Sequence, residues 1–257
     1  MSISQTRPLA VVTGGRRGIG AGIVVELATR GFNLAVTDVE SDGMEEVIAA
    51  VQSCGSEAKF FQSNLAQVDG HSEVVRLINQ WGGPITCLIN NAGIPSPSRG
   101  DLLDVTPDSF DKVMDVNLRG TFFFTQEVVK HMLDTKTEFE RTVVTVSSVS
   151  VELASIERAE YCLSKSGLGM LTRLFALRLA LHQIGVFEVR PGVIKTPMTE
   201  RVAKAYDQRI AEGLVPMGRW GYPIDVARAV AALVDGKLAF STGSVLHVDG
   251  ALSIAKL

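Results

Sequence analysis

The sequence predicts an α/β fold: a single-domain, Rossmann-type, doubly wound parallel sheet with helices on both faces. Two observations predict it. Short β-branched runs alternate along the 257 residues with longer helical patterns, and a glycine-rich turn joins the first run to the first helical pattern. No Pro/Gly/Ser-rich linker and no internal repeat divides the chain, so residues 1–257 are expected to form one domain.

Seven apolar runs are expected to form the strands of the sheet. Runs that are apolar almost throughout suit strands that are covered on both faces. The segments between them are long enough for right-handed crossover helices, which produce a doubly wound sheet. The predicted strands are residues 9–13, 33–38, 58–63, 85–90, 142–147, 186–190 and 244–248.

Two predicted helices are apolar around most of their circumference. Residues 108–133 include Phe122, Phe123 and Phe124 in succession, and three adjacent positions cover about 200° of a helix. Residues 160–182 carry large apolar side chains in nearly every turn. Such a helix must be covered on two sides, so we expect the sheet on one side and another subunit on the other.

Composition and charge exclude several classes of protein. The net charge is −3 and the isoelectric point is near 5.9, which gives no overall field for nucleic acid or an anionic membrane. The apolar runs are far shorter than the ~20 residues of a membrane span, and residues 1–8 do not resemble a signal peptide. The cysteines, histidines and their spacing predict neither a disulfide framework nor a metal site. We expect a cytoplasmic protein in a reducing compartment.

The glycine-rich turn, residues 13–20, reads Thr-Gly-Gly-Arg-Arg-Gly-Ile-Gly. Free backbone N–H groups at the start of a helix, together with the helix dipole, attract a pyrophosphate, and glycines let the backbone approach it closely. The same pattern could be a βα turn without a ligand. Its position between a strand and a helix favours a dinucleotide site.

Polar residues also end two of the predicted strands. Asp38 ends the second strand, where a carboxylate can accept hydrogen bonds from the adenosine ribose hydroxyls; the alternative is an ordinary strand-end aspartate. Residues 90–93, Asn-Asn-Ala-Gly, end the fourth strand. Their side-chain amides can tie neighbouring loops together where ligands bind in open α/β sheets.

Tyr161 and Lys165 stand four residues apart at the start of a predicted helix, and therefore on one face of it. A free tyrosine, with a pKa of ~10, is a poor base at neutral pH. A lysine ammonium at ~4 Å would stabilise the phenolate by up to ~4 kcal/mol, which predicts a Tyr161 pKa lowered toward the range useful for proton transfer. A pair with this spacing is common by chance.

Two further polar residues are candidates for the same chemistry. Ser148 precedes Tyr161 by thirteen residues and could donate a hydrogen bond to a substrate oxygen, although Ser147 and Ser150 compete for that role. Asn117 lies in a helical pattern where asparagine is unfavourable, which indicates a function for its amide or a kink in the helix.

With these motifs in this order, the chain resembles the classical short-chain dehydrogenases/reductases over essentially its whole length. Residues 190–193, Arg-Pro-Gly-Val, and residues 242–250 also match. The resemblance implies an oxidoreductase that moves a hydride between nicotinamide C4 and a secondary carbinol carbon. It implies that Tyr161 is the general acid/base and that Lys165 lowers its pKa and binds the nicotinamide ribose. Ser148 would polarise the carbonyl, and Asn117 would hold the water of a proton relay.

The resemblance also implies a set of cofactor-binding residues within one dinucleotide-binding and catalytic domain. Thr196 and the backbone of Ile194 would bind the carboxamide, and Asn64 with Leu65 would contact the adenine. The full set is Gly14, Arg17, Gly18, Ile19, Gly20, Asp38, Asn64, Leu65, Asn91, Ala92, Gly93, Tyr161, Lys165, Pro191, Gly192, Ile194 and Thr196.

The end of the second strand favours NAD over NADP. A 2′-phosphate would lie beside the Asp38 carboxylate, and the next residue, Val39, offers no positive charge. Arg17 softens this preference, because a basic residue at its position can reach the 2′-phosphate in NADP-using relatives. The alternative is that Arg16 and Arg17 are both exposed to solvent at the turn.

The substrate is expected to be a small carbonyl or alcohol compound. The strongest resemblance is to the 3-oxoacyl-(acyl-carrier-protein) reductases, and a sugar or polyol dehydrogenase is the alternative. A non-catalytic dinucleotide sensor and a methyltransferase are alternatives of other classes, but neither accounts for the combination of Ser148, Tyr161 and Lys165.

Charged residues before Tyr161 and a predicted lid lie near the site, and the C-terminal residues bear on assembly. Glu152, Glu157, Arg158 and Glu160 precede Tyr161 where relatives often have small residues; they either line the substrate pocket or form a solvated helix entry. Residues 198–217 form the expected lid. The family commonly adds a second interface near the C-terminus, here residues 253–257, so a homotetramer is expected.

Overall fold

The fold is one seven-stranded parallel sheet, seen in a computed structural model that describes residues 7–255. The strand order is β3-β2-β1-β4-β5-β6-β7, as the predicted doubly wound class requires. Every predicted strand is present, with ends displaced by at most two residues. The strands are β1 (Leu9–Thr13), β2 (Asn33–Asp38), β3 (Ala58–Gln62), β4 (Ile85–Asn90), β5 (Arg141–Val146), β6 (Ile184–Pro191) and β7 (Val245–Val248).

Helices cover both faces of this sheet. Successive side chains of a strand point to opposite faces, so Val12 belongs to the core under α1, α2 and α8, whereas Val11 belongs to the core under α3, α5 and α6. The predicted cover on both faces is therefore confirmed. The helices are α1 (Gly18–Thr29), α2 (Met44–Ser53), α3 (His71–Gly82), α4 (Pro107–Met114), α5 (Thr121–Asp134), α6 (Ala159–Leu179), α7 (Ala203–Ala211) and α8 (Pro223–Leu233).

The helix predicted over residues 108–133 is interrupted by a π-helical turn, Asp115–Gly120, between α4 and α5. A Cβ at Gly120 would come within 2.2 Å of the Leu65 carbonyl oxygen, so the chain passes too close to the loop after β3 for any side chain there. The wider turn brings Asn117 fully into the interior. Single π turns of this kind are frequent at functional sites.

Helix α6 is apolar on both sides, as predicted. Its inner side packs Leu168, Leu171 and Leu179 into the core beside the sheet. Its outer side exposes Leu174 and Leu177, the latter to 81%. A surface of this kind is typical of a contact with another molecule.

The strand order reverses between β1 and β4: β1, β2 and β3 extend to one edge of the sheet, and β4 to β7 extend to the other. In such sheets the ligand lies outside the carboxyl ends of the strands at this switch point.

Within residues 7–255, no helix combines the length and the apolar character that crossing a membrane requires.

Candidate active site

The turn between β1 and α1 has the geometry of a phosphate cradle. Gly14 and Gly18 have φ values of +64° and +58°, in the left-handed region that favours glycine. A Cβ at Gly20 would lie 2.0 Å from the Gly14 carbonyl oxygen, and one at Gly14 would lie 2.8 Å from the Cα of Ala92. The residues present therefore leave the backbone bare at the start of α1, and this fits a dinucleotide pyrophosphate.

The loop after β4 is tied to this turn, as the sequence predicted. The Asn91 amide nitrogen donates to the carbonyl oxygens of Thr13 and Gly14, both at 3.0 Å. The Thr13 hydroxyl in turn accepts hydrogen bonds from the backbone N–H groups of Asn91 and Ala92, at 3.0 and 3.1 Å. Two neighbouring loops at the carboxyl edge of the sheet thus form one rigid wall.

Asp38 ends β2 with a carboxylate that accepts from the Val39 N–H at 2.8 Å. The neighbouring cation is Arg16, not Arg17. The Arg16 guanidinium is nearly buried and lies 3.6 Å from Asp38, 2.7 Å from Glu40 and 3.5 Å from Asp42. Arg17 is exposed. The alternative that both arginines are exposed is therefore wrong for Arg16, whose role no sequence signal had indicated.

All the residues predicted to bind the cofactor line one cleft of about 620 Å³ at the carboxyl ends of the strands. Asp38 and Asn64 mark one end of it, and Tyr161 and Lys165 line the other, with Ser148 beside them. Asn117 is the one predicted site residue that does not line this cleft, because it lies in the interior behind the cleft wall.

Tyr161, Ser148 and Lys165 meet in that cleft because α6 starts beside the end of β5. The Lys165 ammonium lies 5.6 Å from the centre of the Tyr161 ring and donates to the Val146 carbonyl oxygen at 3.2 Å. Of the three competing serines, Ser148 is the one whose hydrogen bond affects Tyr161. Ser147 instead donates to Glu188 at 2.5 Å.

Burial raises the pKa of Tyr161, while hydrogen bonding to Ser148 and the Arg158 charge act in the opposite direction. The expectation of a lowered Tyr161 pKa is therefore wrong for this structure, because removing the phenolate from water outweighs the nearby favourable groups. Burial also lowers the pKa of Lys165 to about 8, although the Glu188 carboxylate opposes this.

The Asn117 amide is held by the protein on both of its atoms. Its oxygen accepts from the Ile94 N–H at 2.8 Å, and its nitrogen donates to the Ile94 carbonyl oxygen at 3.0 Å and to the Ser164 hydroxyl at 3.1 Å. A Cβ at Gly93 would lie 3.2 Å from the Asn117 oxygen and 3.6 Å from the Lys165 ammonium. Asn117 thus joins the loop after β4 to α6, next to Lys165.

The opposite wall of the cleft comes from the segment after β6. The Thr199 hydroxyl accepts from the Thr196 N–H at 3.0 Å and donates to the Ile194 carbonyl oxygen at 2.9 Å. This fixes Thr196 across from the glycine turn, since a Cβ at Gly18 would lie 3.5 Å from the Thr196 side chain.

The four charged residues before Tyr161 have different environments. Glu160 is buried and accepts from the Ser109 hydroxyl at 3.0 Å. Glu152 pairs with Arg190, and Glu157 is exposed. Only Arg158 lines the cleft, with its guanidinium 5.5 Å from the centre of the Tyr161 ring.

A buried ion pair beneath the site was not predicted. Arg190 and Glu188, both on β6, are almost fully buried and bind each other through two hydrogen bonds of 2.7 and 3.0 Å. The sequence feature that could have revealed it is a pair of opposite charges two residues apart, and hence on one face, in a strand that is otherwise apolar.

Among residues 7–255, no group of three or more histidine, cysteine, aspartate or glutamate side chains could hold a metal ion.

Comparisons with known proteins agree with this geometry. A family described as Enoyl-(Acyl carrier protein) reductase matches residues 14–253. The 3-oxoacyl-(acyl-carrier-protein) reductase of Staphylococcus epidermidis is 32% identical over 244 residues, which cover 95% of this chain and 98% of that protein.

Two solved structures are also similar over nearly the whole chain. A 3-oxoacyl-(acyl-carrier protein) reductase from Brucella melitensis in complex with NAD is 54% identical, with a TM-score of 0.97 over 99% of this chain and 100% of the other. An actinorhodin polyketide ketoreductase with NADPH is 29% identical, with a TM-score of 0.90 over 98% and 99%.

The sheet, the glycine turn and the cleft define a nicotinamide-dependent oxidoreductase that acts on carbonyl or alcohol groups. The chain belongs to the short-chain dehydrogenase/reductase family, as the sequence resemblance implied.

Proposed function

We propose that this enzyme interconverts a ketone and a secondary alcohol, with Tyr161 as the general acid/base. The observation that carries this proposal is the presence of Tyr161, Ser148 and Lys165 at one end of the cleft that begins at the glycine turn. A bound nicotinamide supplies or accepts the hydride. A non-catalytic sensor would need no such group of polar side chains beyond the phosphate cradle.

The protein's own residues act on the substrate oxygen. The Ser148 hydroxyl donates a hydrogen bond to the ketone oxygen and polarises it. Because burial raises the pKa of Tyr161, its hydroxyl is protonated at neutral pH and transfers a proton to that oxygen during reduction. The Lys165 ammonium stabilises the phenolate that remains and binds the nicotinamide ribose. Asn117 orients the loop beside Lys165 through its amide, whose two hydrogens are already donated, and would hold the water of the proton relay through an oxygen atom.

The cofactor is NAD in preference to NADP. Asp38 occupies the ribose end of the cleft, and Arg16 is already paired with three carboxylates, so it offers little free positive charge to a 2′-phosphate. The Brucella melitensis relative is described with NAD, whereas the actinorhodin ketoreductase is described with NADPH.

The substrate is a small ketone or its alcohol. The names of the relatives make a 3-oxoacyl thioester the first compound to test, and a sugar or polyol is the alternative.

Residues 1–257 would act as one dinucleotide-binding and catalytic domain in the reducing cytoplasm, and the exposed outer side of α6 supports a homotetramer. Lys256 and Leu257 of the expected second interface lie outside the described residues.

Turnover by a Tyr161→Phe variant tests the proposal. We expect kcat to fall by about 10²–10⁴-fold, because proton transfer is lost while the ring still packs. NADH affinity, measured by fluorescence titration, should stay nearly unchanged. Near-normal turnover by the variant would remove Tyr161 from the mechanism.

A further inference from the structure

Arg158 is a half-buried cation in the active-site cleft that no carboxylate among the described residues, 7–255, neutralises. Its guanidinium lies 5.5 Å from the centre of the Tyr161 ring. Among residues 7–255 the guanidinium forms neither a hydrogen bond nor an ion pair, and it packs against the Tyr161 ring; the backbone N–H of Arg158 donates to the Ser155 carbonyl oxygen. The nearby acids are engaged elsewhere, since Glu160 accepts from Ser109 and Glu152 pairs with Arg190.

The charges along the cleft are unevenly distributed. Its acidic lining residues, Asp38 and Glu40, are both at the adenosine end. Near Tyr161 the charged lining residues are cations: Arg158 and Lys165, with exposed Arg99 and Arg209 farther out. Because the Arg158 guanidinium lines the cleft without a carboxylate partner, its charge is free to pair with a ligand, and this end of the cleft is complementary to an anion.

We propose that Arg158 binds a carboxylate of the substrate, and that the substrate is therefore a small oxo acid or hydroxy acid. This inference rests on the proposed function and specifies its substrate class. The planar guanidinium can hold both carboxylate oxygens at once. Its contact with Tyr161 means that the bound carboxylate lies within a few bonds of the carbon that is oxidised or reduced.

This geometry disfavours an acyl group on a carrier protein. A 3-oxoacyl thioester is uncharged beside its ketone. Its nearest anion, the phosphate, is at the far end of the long pantetheine arm, and it cannot reach a guanidinium that packs on the Tyr161 ring. A free carboxylate one to three carbons from the ketone meets Arg158 directly.

Arg158 also acts on Tyr161 itself, because its charge favours the phenolate. Loss of Arg158 would therefore slow the reaction of every substrate to some extent. Substrate recognition is measured instead by the ratio of kcat/KM for an acid to kcat/KM for its methyl ester, since any effect through Tyr161 divides out.

The test uses 2-, 3- and 4-oxo acids, their methyl esters and a 3-oxobutanoyl thioester of N-acetylcysteamine, each with NADH. The variants are Arg158→Gln and Arg158→Lys. Arg76→Gln is the matched control, because Arg76 pairs with Glu73 on α3, outside the cleft. NADH titration of each variant verifies a folded cofactor site.

We expect the native enzyme to favour at least one acid over its ester and over the thioester by about tenfold or more. Arg158→Gln should lower that acid/ester ratio by about ten- to a hundredfold, which is the effect of losing hydrogen bonds to a charged group. Arg158→Lys should show an acid/ester ratio between those of the native enzyme and Arg158→Gln, and Arg76→Gln should show the native ratio.

Two results would overturn the proposal. In the first, Arg158→Gln lowers the rates of acid and ester equally, so that Arg158 acts through Tyr161 alone. In the second, the native enzyme prefers the esters or the thioester. Either result, with turnover still lost in Tyr161→Phe, leaves the proposed oxidoreductase intact. Undiminished turnover in Tyr161→Phe would instead count against the proposed function.

Discussion

The Lys165 ammonium lies 5.6 Å from the centre of the Tyr161 ring, and burial lowers the pKa of that lysine to about 8. The same burial raises the pKa of Tyr161. The two groups therefore respond to the same environment in opposite directions, because both are favoured in their neutral forms. The first proton to leave this pair on raising the pH comes from the lysine.

This order predicts the pH dependence of ketone reduction. Reduction needs a protonated Tyr161 and a charged Lys165, so kcat/KM for NADH should be level below about pH 8 and fall above it as Lys165 loses its proton. Lys165→Arg should be slower but should lack this decline, because arginine stays charged. A native profile that stays level to about pH 10 would contradict the assignment.

Asp38, one of the carboxylates around Arg16, is predicted to set the preference for NAD(H) over NADP(H). Asp38→Asn removes a charge beside the position of a 2′-phosphate, so kcat/KM with NADP(H) relative to NAD(H) should rise by about ten- to a thousandfold. Asp42→Asn is the matched control, since Asp42 pairs with the same guanidinium at 3.5 Å but does not line the cleft. Similar ratios in both variants, or a native enzyme that prefers NADP(H), would rule out Asp38 as the determinant.

The parts of the fold and site that could be predicted are those that leave a chemical requirement in the sequence. A strand covered on both faces needs apolar residues throughout, and β1, β2 and β4 match their predicted bounds for this reason. A Cβ at Gly20 cannot fit, so glycine is required there. The positions of Tyr161 and Lys165 follow from the period of one helix.

Other features depend on surroundings that a linear pattern does not contain. Adjacent Arg16 and Arg17 look equivalent in the sequence, but only the backbone of the turn decides that Arg16 faces Asp38. The π turn at Asp115–Gly120 keeps a helical apolar pattern, so periodicity does not reveal it. The Tyr161 pKa depends on how far the assembled cleft removes the ring from water.

The Glu188–Arg190 pair predicts a large effect on stability. Replacing Glu188 alone by Met leaves the buried Arg190 guanidinium without its bidentate partner and with only the half-exposed Glu152 to pair with, so the free energy of unfolding should fall by about 3–5 kcal/mol. Replacing both Glu188 and Arg190 by Met should recover most of that loss, because the second change also removes the buried positive charge, while the half-exposed Glu152 stays in contact with water. Urea unfolding at one protein concentration measures both effects. Equal losses in the single and double variants would show that the pair is not coupled.

The exposed outer side of α6 predicts how the enzyme assembles. Leu177 is 81% exposed, and exposed Leu174 on α6 and Leu181 in the 3-10 turn after it lie three and four residues away, on the same side. Solvent contact of so much apolar surface is unfavourable. A two-fold contact between copies of α6 would bury this surface, and a second contact near the C-terminus would complete a homotetramer.

Light scattering at micromolar concentration should therefore give the mass of four chains. Leu177→Glu would place two carboxylates at the two-fold contact and should reduce the mass to that of a smaller assembly. Leu103→Glu is the matched control, because Leu103 is at least as exposed, at 88%, but lies in the turn before α4. A native protein that is a stable monomer, or a Leu177→Glu variant with unchanged mass, would exclude α6 as the subunit interface.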